Sequence, residues 1–148
     1  MVITRATEYA IRAVLYMAKQ PNGKTVLKKD ICTAQGITPA FLTKILQPLI
    51  RCGIVGSHRG VCGGFFLARP PAQITLLDIV NAEEGLPNLN ACLEEDGICP
   101  RDELCPVHRV WRDARSDLME RLQRYSFADL IEQEEECLRN RKHQDLES

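Results

Sequence analysis

The sequence predicts a mainly α-helical fold in which three N-terminal helices lead into a β-hairpin, and two longer helices follow a cysteine-bearing loop. Apolar residues recur at helical spacing through most of the 148-residue chain. Two short strand-like runs flank a stretch that contains three glycines. Three cysteines lie in a polar segment without periodicity. This length predicts one domain, or one small domain with an appended arm.

The charge of the chain is divided between its two halves. Residues 1–70 contain ten basic and two acidic residues, a net charge of +8, whereas residues 71–148 contain nine basic and eighteen acidic residues, a net charge of −9. This division favours a polyanion-binding first half, although two solvated faces of opposite sign give the same totals. The sequence shows no export signal and no apolar run of about 20 residues, so we expect a cytoplasmic protein that does not enter a membrane.

Capping residues predict three helices in the first third of the chain. Thr4 can cap the first helix, and a second helix is predicted over residues 28–35. Thr38 begins a third helix, which runs to about Arg51 and has a polar outer face. A short helix, a tight turn and a second helix with such a face describe a helix-turn-helix, although a plain helical hairpin has the same pattern.

A β-hairpin is predicted directly after the third helix. Residues 54–58 and 65–68 are strand-like, and the three glycines between them permit the positive φ angles of a tight turn. Arg59 lies at the start of this loop, placed to enter a minor groove or to contact phosphate, with a solvated loop charge as the alternative. Because a hairpin after a helix-turn-helix is a wing, the predicted fold is a winged helix-turn-helix with a two-stranded wing.

The second half predicts three more helices around one irregular loop. Thr75 and Asp78 form a capping box for a fourth helix, a loop follows to residue 103, and Pro106 begins a long fifth helix. Ser126 caps the last helix. An apolar stripe on the fifth helix is expected to form a dimer seam, with packing on its own domain as the alternative: Val107, Val110, Trp111, Ala114, Leu118, Leu122 and Tyr125.

The irregular loop has the pattern C-x6-C-x5-C-x2-H, formed by Cys92, Cys99, Cys105 and His108. Three soft thiolates and a fourth donor suit zinc or an iron–sulfur cluster, and wide even spacing favours the larger cluster over the close cysteine pairs of zinc modules. A redox thiol switch is the third possibility. No oxyanion-hole or cofactor motif accompanies these residues, so we expect no enzyme and no catalytic residue.

The chain resembles a known family over nearly its whole length. The resemblance lies in Tyr9-Ala10, in the apolar spacing of the third helix, in Arg59-Gly60 and Gly63-Gly64-Phe65, in Ile74-Thr75 and in the three loop cysteines. On these residues the sequence is similar to the winged-helix iron–sulfur transcriptional regulators, which include IscR-, NsrR- and RirA-type repressors.

This resemblance implies a homodimeric repressor that binds double-stranded operator DNA and no small-molecule substrate. It implies a [2Fe-2S] or [4Fe-4S] cluster held by Cys92, Cys99 and Cys105, with His108 as the favoured fourth ligand and Glu8 of the partner subunit as the alternative. Operator affinity would then respond to iron, redox state or nitric oxide. A cluster-free thiol or zinc sensor on the same fold is the alternative function.

The resemblance also implies which residues contact DNA. Outer positions of the third helix read bases, and the residue matching Arg59 enters the minor groove. The predicted contacts are Lys28, Thr38, Ala40, Thr43, Lys44, Gln47, His58 and Arg59. We expect a DNA-binding domain over residues 1–82, a cluster-binding loop over 83–108, and a dimerisation helix with the C-terminal helix over 106–148.

Overall fold

Helices dominate the computed structural model of this chain, which describes residues 3–94, 99–101 and 104–146. The elements of this described part follow one another in the order α1 (Arg5–Ala18), β1 (Val26–Leu27), α2 (Lys28–Gln35), α3 (Pro39–Arg51), β2 (Val55–His58), β3 (Gly64–Leu67), a 3-10 turn (Pro71–Gln73), α4 (Leu76–Glu84), a second 3-10 turn (Ala91–Leu93), α5 (Pro106–Arg124) and α6 (Phe127–Leu146). The mainly helical winged helix-turn-helix that the sequence predicts is therefore confirmed.

The helices begin where local capping chemistry predicts. The Thr38 hydroxyl accepts a hydrogen bond from the Phe41 backbone N–H at 3.2 Å, and Pro39 occupies the first helical position, where it has no N–H to leave unpaired. Thr75 and Asp78 bond reciprocally in the predicted capping box of α4. Each of these starts is fixed within a few residues of chain, which is why sequence reasoning could locate it.

The sheet has one more strand than the sequence predicts. Its order is β1-β3-β2, with β3 antiparallel to both neighbours, and Val26 pairs with Phe65 across the added edge. A Cβ on Gly64 would lie 2.1 Å from the Val26 carbonyl oxygen, so only glycine allows β1 to approach. The predicted two-stranded wing is thus part of a three-stranded sheet, whose extra strand leads directly into α2.

The core lies between α1, α3 and α4, with the sheet at one side. The small residues of α1 permit close packing of the helices, and the α3 stripe of leucine and isoleucine fills the space between them. The core members that are at most 1% exposed are Ala10, Ala13, Val14, Ile31, Leu42, Ile45, Leu46, Leu49, Ile54, Ile74, Ile79 and Phe127.

The start of α6 belongs to this same core. Phe127 is fully buried, and its backbone N–H donates to the Ile74 carbonyl at 2.9 Å. An isolated antiparallel bridge between Thr75 and Ser126 continues the contact, and the Lys19 ammonium of α1 forms an ion pair with Glu134 of α6. The chain therefore leaves the core after α4 and returns to it beside the start of α4.

Two adjacent glutamates at the end of α4 have opposite environments. A carboxylate oxygen of Glu84 accepts hydrogen bonds from the Thr4 N–H at 3.1 Å, the Thr4 hydroxyl at 2.6 Å and the Thr7 hydroxyl, and these bonds lower the pKa of Glu84. Half-buried Glu83 loses hydration and faces the charge of Glu84, which raises its pKa to about 7 despite the opposing charge of Arg51. Glu84 thus connects α4 to the start of α1, whereas ionisation of Glu83 destabilises the folded chain.

In the part of the chain that the structure describes, no helix combines the length and the apolar character needed to cross a lipid bilayer.

Replacing these two glutamates by glutamine should change stability in opposite directions. Between about pH 4.5 and pH 7 the folded protein binds a proton at Glu83 more readily than the unfolded chain does, so the charge at Glu83 lowers the free energy of unfolding as pH rises. At pH 8, Glu83→Gln should therefore raise the free energy of unfolding by about 1 kcal/mol, a value reduced by solvent screening of a half-exposed group. Urea unfolding measures it.

Glu84→Gln is the matched control, because the lowered pKa of Glu84 contributes stability that is present above pH 4.5 and is lost as pH falls. At pH 8 this variant should be less stable than the wild type. At pH 4 the gain from Glu83→Gln should shrink, since Glu83 is then mostly protonated in both states. A gain of equal size at both pH values would contradict the argument.

Candidate nucleic-acid interface and cysteine segment

A groove of about 470 Å³ runs between α3 and the hairpin of β2 and β3. Five of the eight predicted DNA-contacting residues line it: Lys28, Thr43, Gln47, His58 and Arg59. The two basic residues come from different elements, one from α2 and one from the hairpin loop, and none of the described lining residues is acidic. The structure thus brings hydrogen-bonding side chains of α3 and two cations of α2 and the loop to one surface, which suits a phosphate-bearing polymer.

An aromatic ring fixes the position of His58 on this surface. The Phe66 ring stacks on the His58 ring, with centroids 4.6 Å apart and planes inclined by 22°. Phe66 pairs with Gly56 across the hairpin and lies where a side chain would otherwise stand, since a Cβ on Gly56 would be 2.2 Å from the ring. Sequence reasoning missed Phe66 and Gly56, because the contact between them depends on strand register.

The three glycines of the hairpin loop do not share the role that the sequence suggested. Only Gly60 has a positive φ angle, of 108°. Gly63 and Gly64 are required for close approach instead: a Cβ on Gly63 would lie 2.4 Å from the His58 carbonyl oxygen. At Gly63 and Gly64 it is therefore backbone contact, and not a positive φ angle, that excludes a side chain. At the tip of the hairpin, Val61 is fully exposed to solvent and Arg59 is also exposed.

The other three predicted contacts lie outside the groove lining. Ala40 and Lys44 are exposed on α3, whereas Thr38 caps this helix and borders a second cavity of about 360 Å³. Arg5 also borders this cavity, with its guanidinium 5.5 Å from the centre of the Tyr9 ring. Sequence reasoning missed Arg5, because no local signal places the start of α1 beside the start of α3.

The three loop cysteines lie on the stretch of chain between α4 and α5. Cys92 is in the second 3-10 turn, which Asn90 caps by accepting the Ala91 N–H at 2.9 Å. Cys105 is the residue before α5, and its N–H donates to the Arg101 carbonyl at 2.8 Å. Cys99 lies between them in the sequence, and all three thiols are free and half-buried. Residues 95–98 and 102–103, which connect them, lie outside the described part.

Arg115 holds the first of these cysteines against α5. Its guanidinium donates to the Leu93 carbonyl at 3.2 Å, and its Nε is buried without a hydrogen-bond partner in the described structure. This contact attaches the turn that carries Cys92 to the middle of α5. Sequence reasoning missed Arg115 because the contact spans 22 residues and ends on a backbone atom.

The donor chemistry of this segment fits a thiolate-bound iron–sulfur cluster or zinc. The cysteines form no disulfide, are close in sequence and lie clear of the buried core, so packing does not occupy them. Within residues 3–94, 99–101 and 104–146, however, no three His, Cys, Asp or Glu side chains are gathered closely enough to hold a metal ion. Binding would require the segment to draw its thiols together.

The two candidates for a fourth ligand have different surroundings. His108 is half-buried in the first turn of α5, one turn after Cys105. Glu8 is exposed on α1 and pairs with Arg12 at 2.5 Å in the same chain. Both assignments stay predictions.

The first half of α5 presents apolar side chains to solvent. Val107, Val110 and Trp111 are 55%, 64% and 36% exposed, and Leu104 just before the helix is 90% exposed. The later residues of the predicted stripe are half-buried, where α5 contacts α4. The single chain therefore leaves the front of the stripe uncovered.

Three comparisons place these features among known proteins. The family described as Rrf2, iron-dependent transcriptional regulator, matches residues 3–133. The chain is 38% identical over 133 residues to protein aau3 of Rhizobium meliloti (strain 1021), covering 88% of this chain and 85% of that protein. Its fold is similar to T. potens IscR, with a TM-score of 0.71 and 26% identity over 93% of this chain and 90% of that one. It is also similar to CymR (YrzC), the global cysteine regulator of B. subtilis, with a TM-score of 0.69 and 26% identity over 88% of this chain and 95% of that one.

The three-stranded winged helix and its basic groove define a DNA-binding regulator of the winged-helix class. The chain belongs to the Rrf2 family of transcriptional regulators. It is accordingly a regulator and not an enzyme.

Removing the Arg115 contact should expose Cys92. Loss of a hydrogen bond worth about 1 kcal/mol should make opening of the turn about fivefold more frequent, so Arg115→Ala should speed alkylation of Cys92 by roughly that factor in chelator-treated protein. Mass spectrometry of iodoacetamide-treated protein measures the rate at each thiol. Arg112→Ala is the matched control, because Arg112 is exposed on the same helix. Equal Cys92 rates in both variants would contradict a pinning role for Arg115.

Proposed function

We propose that this Rrf2-family regulator is a homodimeric repressor whose affinity for operator DNA is controlled by an iron–sulfur cluster on Cys92, Cys99 and Cys105. The observation that carries the proposal is the placement of three free thiols on the segment that leads into α5. The same chain forms a basic groove between α3 and the hairpin. His108 is the proposed fourth ligand, with Glu8 of the partner subunit as the alternative.

The groove supports operator binding. A recognition helix enters the major groove with side chains near its N-terminus contacting base edges, and Ala40 and Thr43 lie in that part of α3, with Gln47 one turn further along the same face. Arg59 at the exposed loop suits the narrow, negative minor groove beside it. Lys28 from the neighbouring helix is placed for phosphate.

The uncovered face of α5 supports a homodimer. Val107, Val110 and Trp111 form one apolar patch on a helix that contributes no residue to the core. A twofold-symmetric pair of such helices would cover this patch on both chains, since a C2 interface uses the same surface twice. Two winged helices held in this way suit a palindromic operator with half-sites about one helical turn apart.

The cysteine segment supports control by a cluster. A cluster bound there would supply iron–thiolate bonds that respond to oxidation, nitric oxide or iron supply. Two features connect the cysteine segment to the proposed dimer helix, α5. Cys105 is the residue before α5, and Arg115 attaches the turn that carries Cys92 to the middle of that helix. Order in the segment thereby biases where α5 stands relative to α4, and so the separation of the two α3 helices.

A cluster-free thiol or zinc sensor on the same fold is the second candidate. The similarity to CymR, the global cysteine regulator of B. subtilis, favours it. Zinc close to one ion per chain, or a reversible thiol reaction that alters DNA binding without iron, is the expected sign of this function.

Changing Arg59 to Ala should weaken binding to DNA about tenfold at moderate salt, because a guanidinium in a groove contributes about 1–3 kcal/mol. The slope of log affinity against log salt should also become shallower by about 1. Fluorescence anisotropy with a labelled duplex, selected from random sequences by the wild-type protein, measures both. Arg112→Ala lies away from the groove and should leave both values unchanged; equal losses would contradict the proposed interface.

Changing Cys92, Cys99 and Cys105 together to Ala should abolish the cluster. Wild-type protein purified without oxygen should be coloured and contain iron and acid-labile sulfide, and the triple variant should lack all three. The matched control changes the three exposed cysteines of the described chain, Cys52, Cys62 and Cys137, to Ala and should keep colour and iron. Colourless wild-type protein with bound zinc, or with neither metal, would overturn the cluster and favour the second candidate.

A further inference from the structure

The hydroxyl of Thr43 is bonded to its own helix. Its Oγ1 donates to the Pro39 carbonyl oxygen at 2.9 Å, one turn earlier in α3. A threonine in a helix has two side-chain heavy atoms on Cβ, so an Oγ1 that donates to the preceding carbonyl has no donor left for a base, and the Cγ2 methyl is the other group that Thr43 presents. The single donor of this hydroxyl is therefore already used before any DNA is bound.

The outward side of α3 is otherwise short of donors. Ala40, Thr43 and Gln47 follow one another at helical spacing on the same face, and Lys44 is the one charged residue from Pro39 to Ile50. Thr43 and Gln47 both line the groove, and Ala40 is exposed. This part of the reading surface thus consists of two methyl groups followed by a carboxamide.

Each of these groups matches one partner in an A·T pair. The thymine C5-methyl is the apolar mark of the major groove, and alanine or threonine methyl groups contact it, whereas a glutamine amide pairs with adenine N6 and N7. We propose that Thr43 recognises a thymine through its methyl group alone, with its hydroxyl serving only to orient that methyl, and that Gln47 recognises an adenine in the same half-site. The inference rests on the proposed function, since it requires α3 to enter the major groove.

The operator is first obtained from a pool of random duplexes by repeated selection with the full-length wild-type protein. Each thymine of the selected half-site is then replaced by deoxyuridine, which removes only the C5-methyl. At one position per half-site this change should lower wild-type affinity about fivefold, the effect of removing one buried methyl contact. Replacing adenine by 7-deaza-adenine should reveal one position where Gln47→Ala no longer adds a loss.

Two isosteric variants separate the methyl from the hydroxyl. Thr43→Val keeps the methyl and the shape but has no hydroxyl, so its affinity should stay within about twofold of the wild type. Thr43→Ser keeps the hydroxyl but has no methyl, so it should bind about fivefold more weakly and become insensitive to the deoxyuridine change. Unchanged affinity of both variants for a duplex without the selected site shows that they are folded.

Two results would overturn the inference alone: deoxyuridine tolerated at every thymine of the selected site, or Thr43→Val as weak as Thr43→Ser, which would mean that the hydroxyl itself contacts a base. A pool in which no sequence is enriched would instead contradict sequence-specific binding, and with it the proposed function. The two failures are therefore distinguishable.

Discussion

The fold depends on the contact by which the second half of the chain returns to the core. Phe127 fills the space among the first helices, and its N–H bonds to the Ile74 carbonyl, next to the bridge between Thr75 and Ser126. The chain from the end of α4 through the cysteines and α5 therefore leaves the molecule at one end of α4 and re-enters it beside the other end. Under the proposed control, a displacement of α5 would be anchored at this return and would therefore be a pivot near Tyr125 and not a detachment.

Local chemistry explains what the sequence could predict. Thr38 and Thr75 bond to backbone three residues away, so the starts of α3 and α4 follow from short motifs. The strand Val26–Leu27 was missed because two residues become a strand only through Gly64 and Phe65, far along the chain. Tertiary partners of this kind leave no periodic signal.

The two sites differ in how far sequence reasoning reached. Most of the predicted DNA-contacting residues meet in one groove, because helix-turn-helix geometry fixes which face of α3 is outward. The cysteines were found from spacing, but the residue that positions one of them, Arg115, was not, since it acts on the Leu93 backbone. Ligand identity depends on how an irregular segment closes, and its spacing alone does not specify that closure.

The close approach at Gly64 has a consequence for regulation. Because β1 is hydrogen-bonded to the wing and runs straight into α2, no linker separates the wing from α2, which packs on α3. A signal arriving through α5 would then move the winged helix-turn-helix of each subunit as a rigid unit, without changing the shape of that unit. Such control would change the number of base pairs between half-sites that the dimer tolerates, while the base sequence preferred within each half-site stays the same.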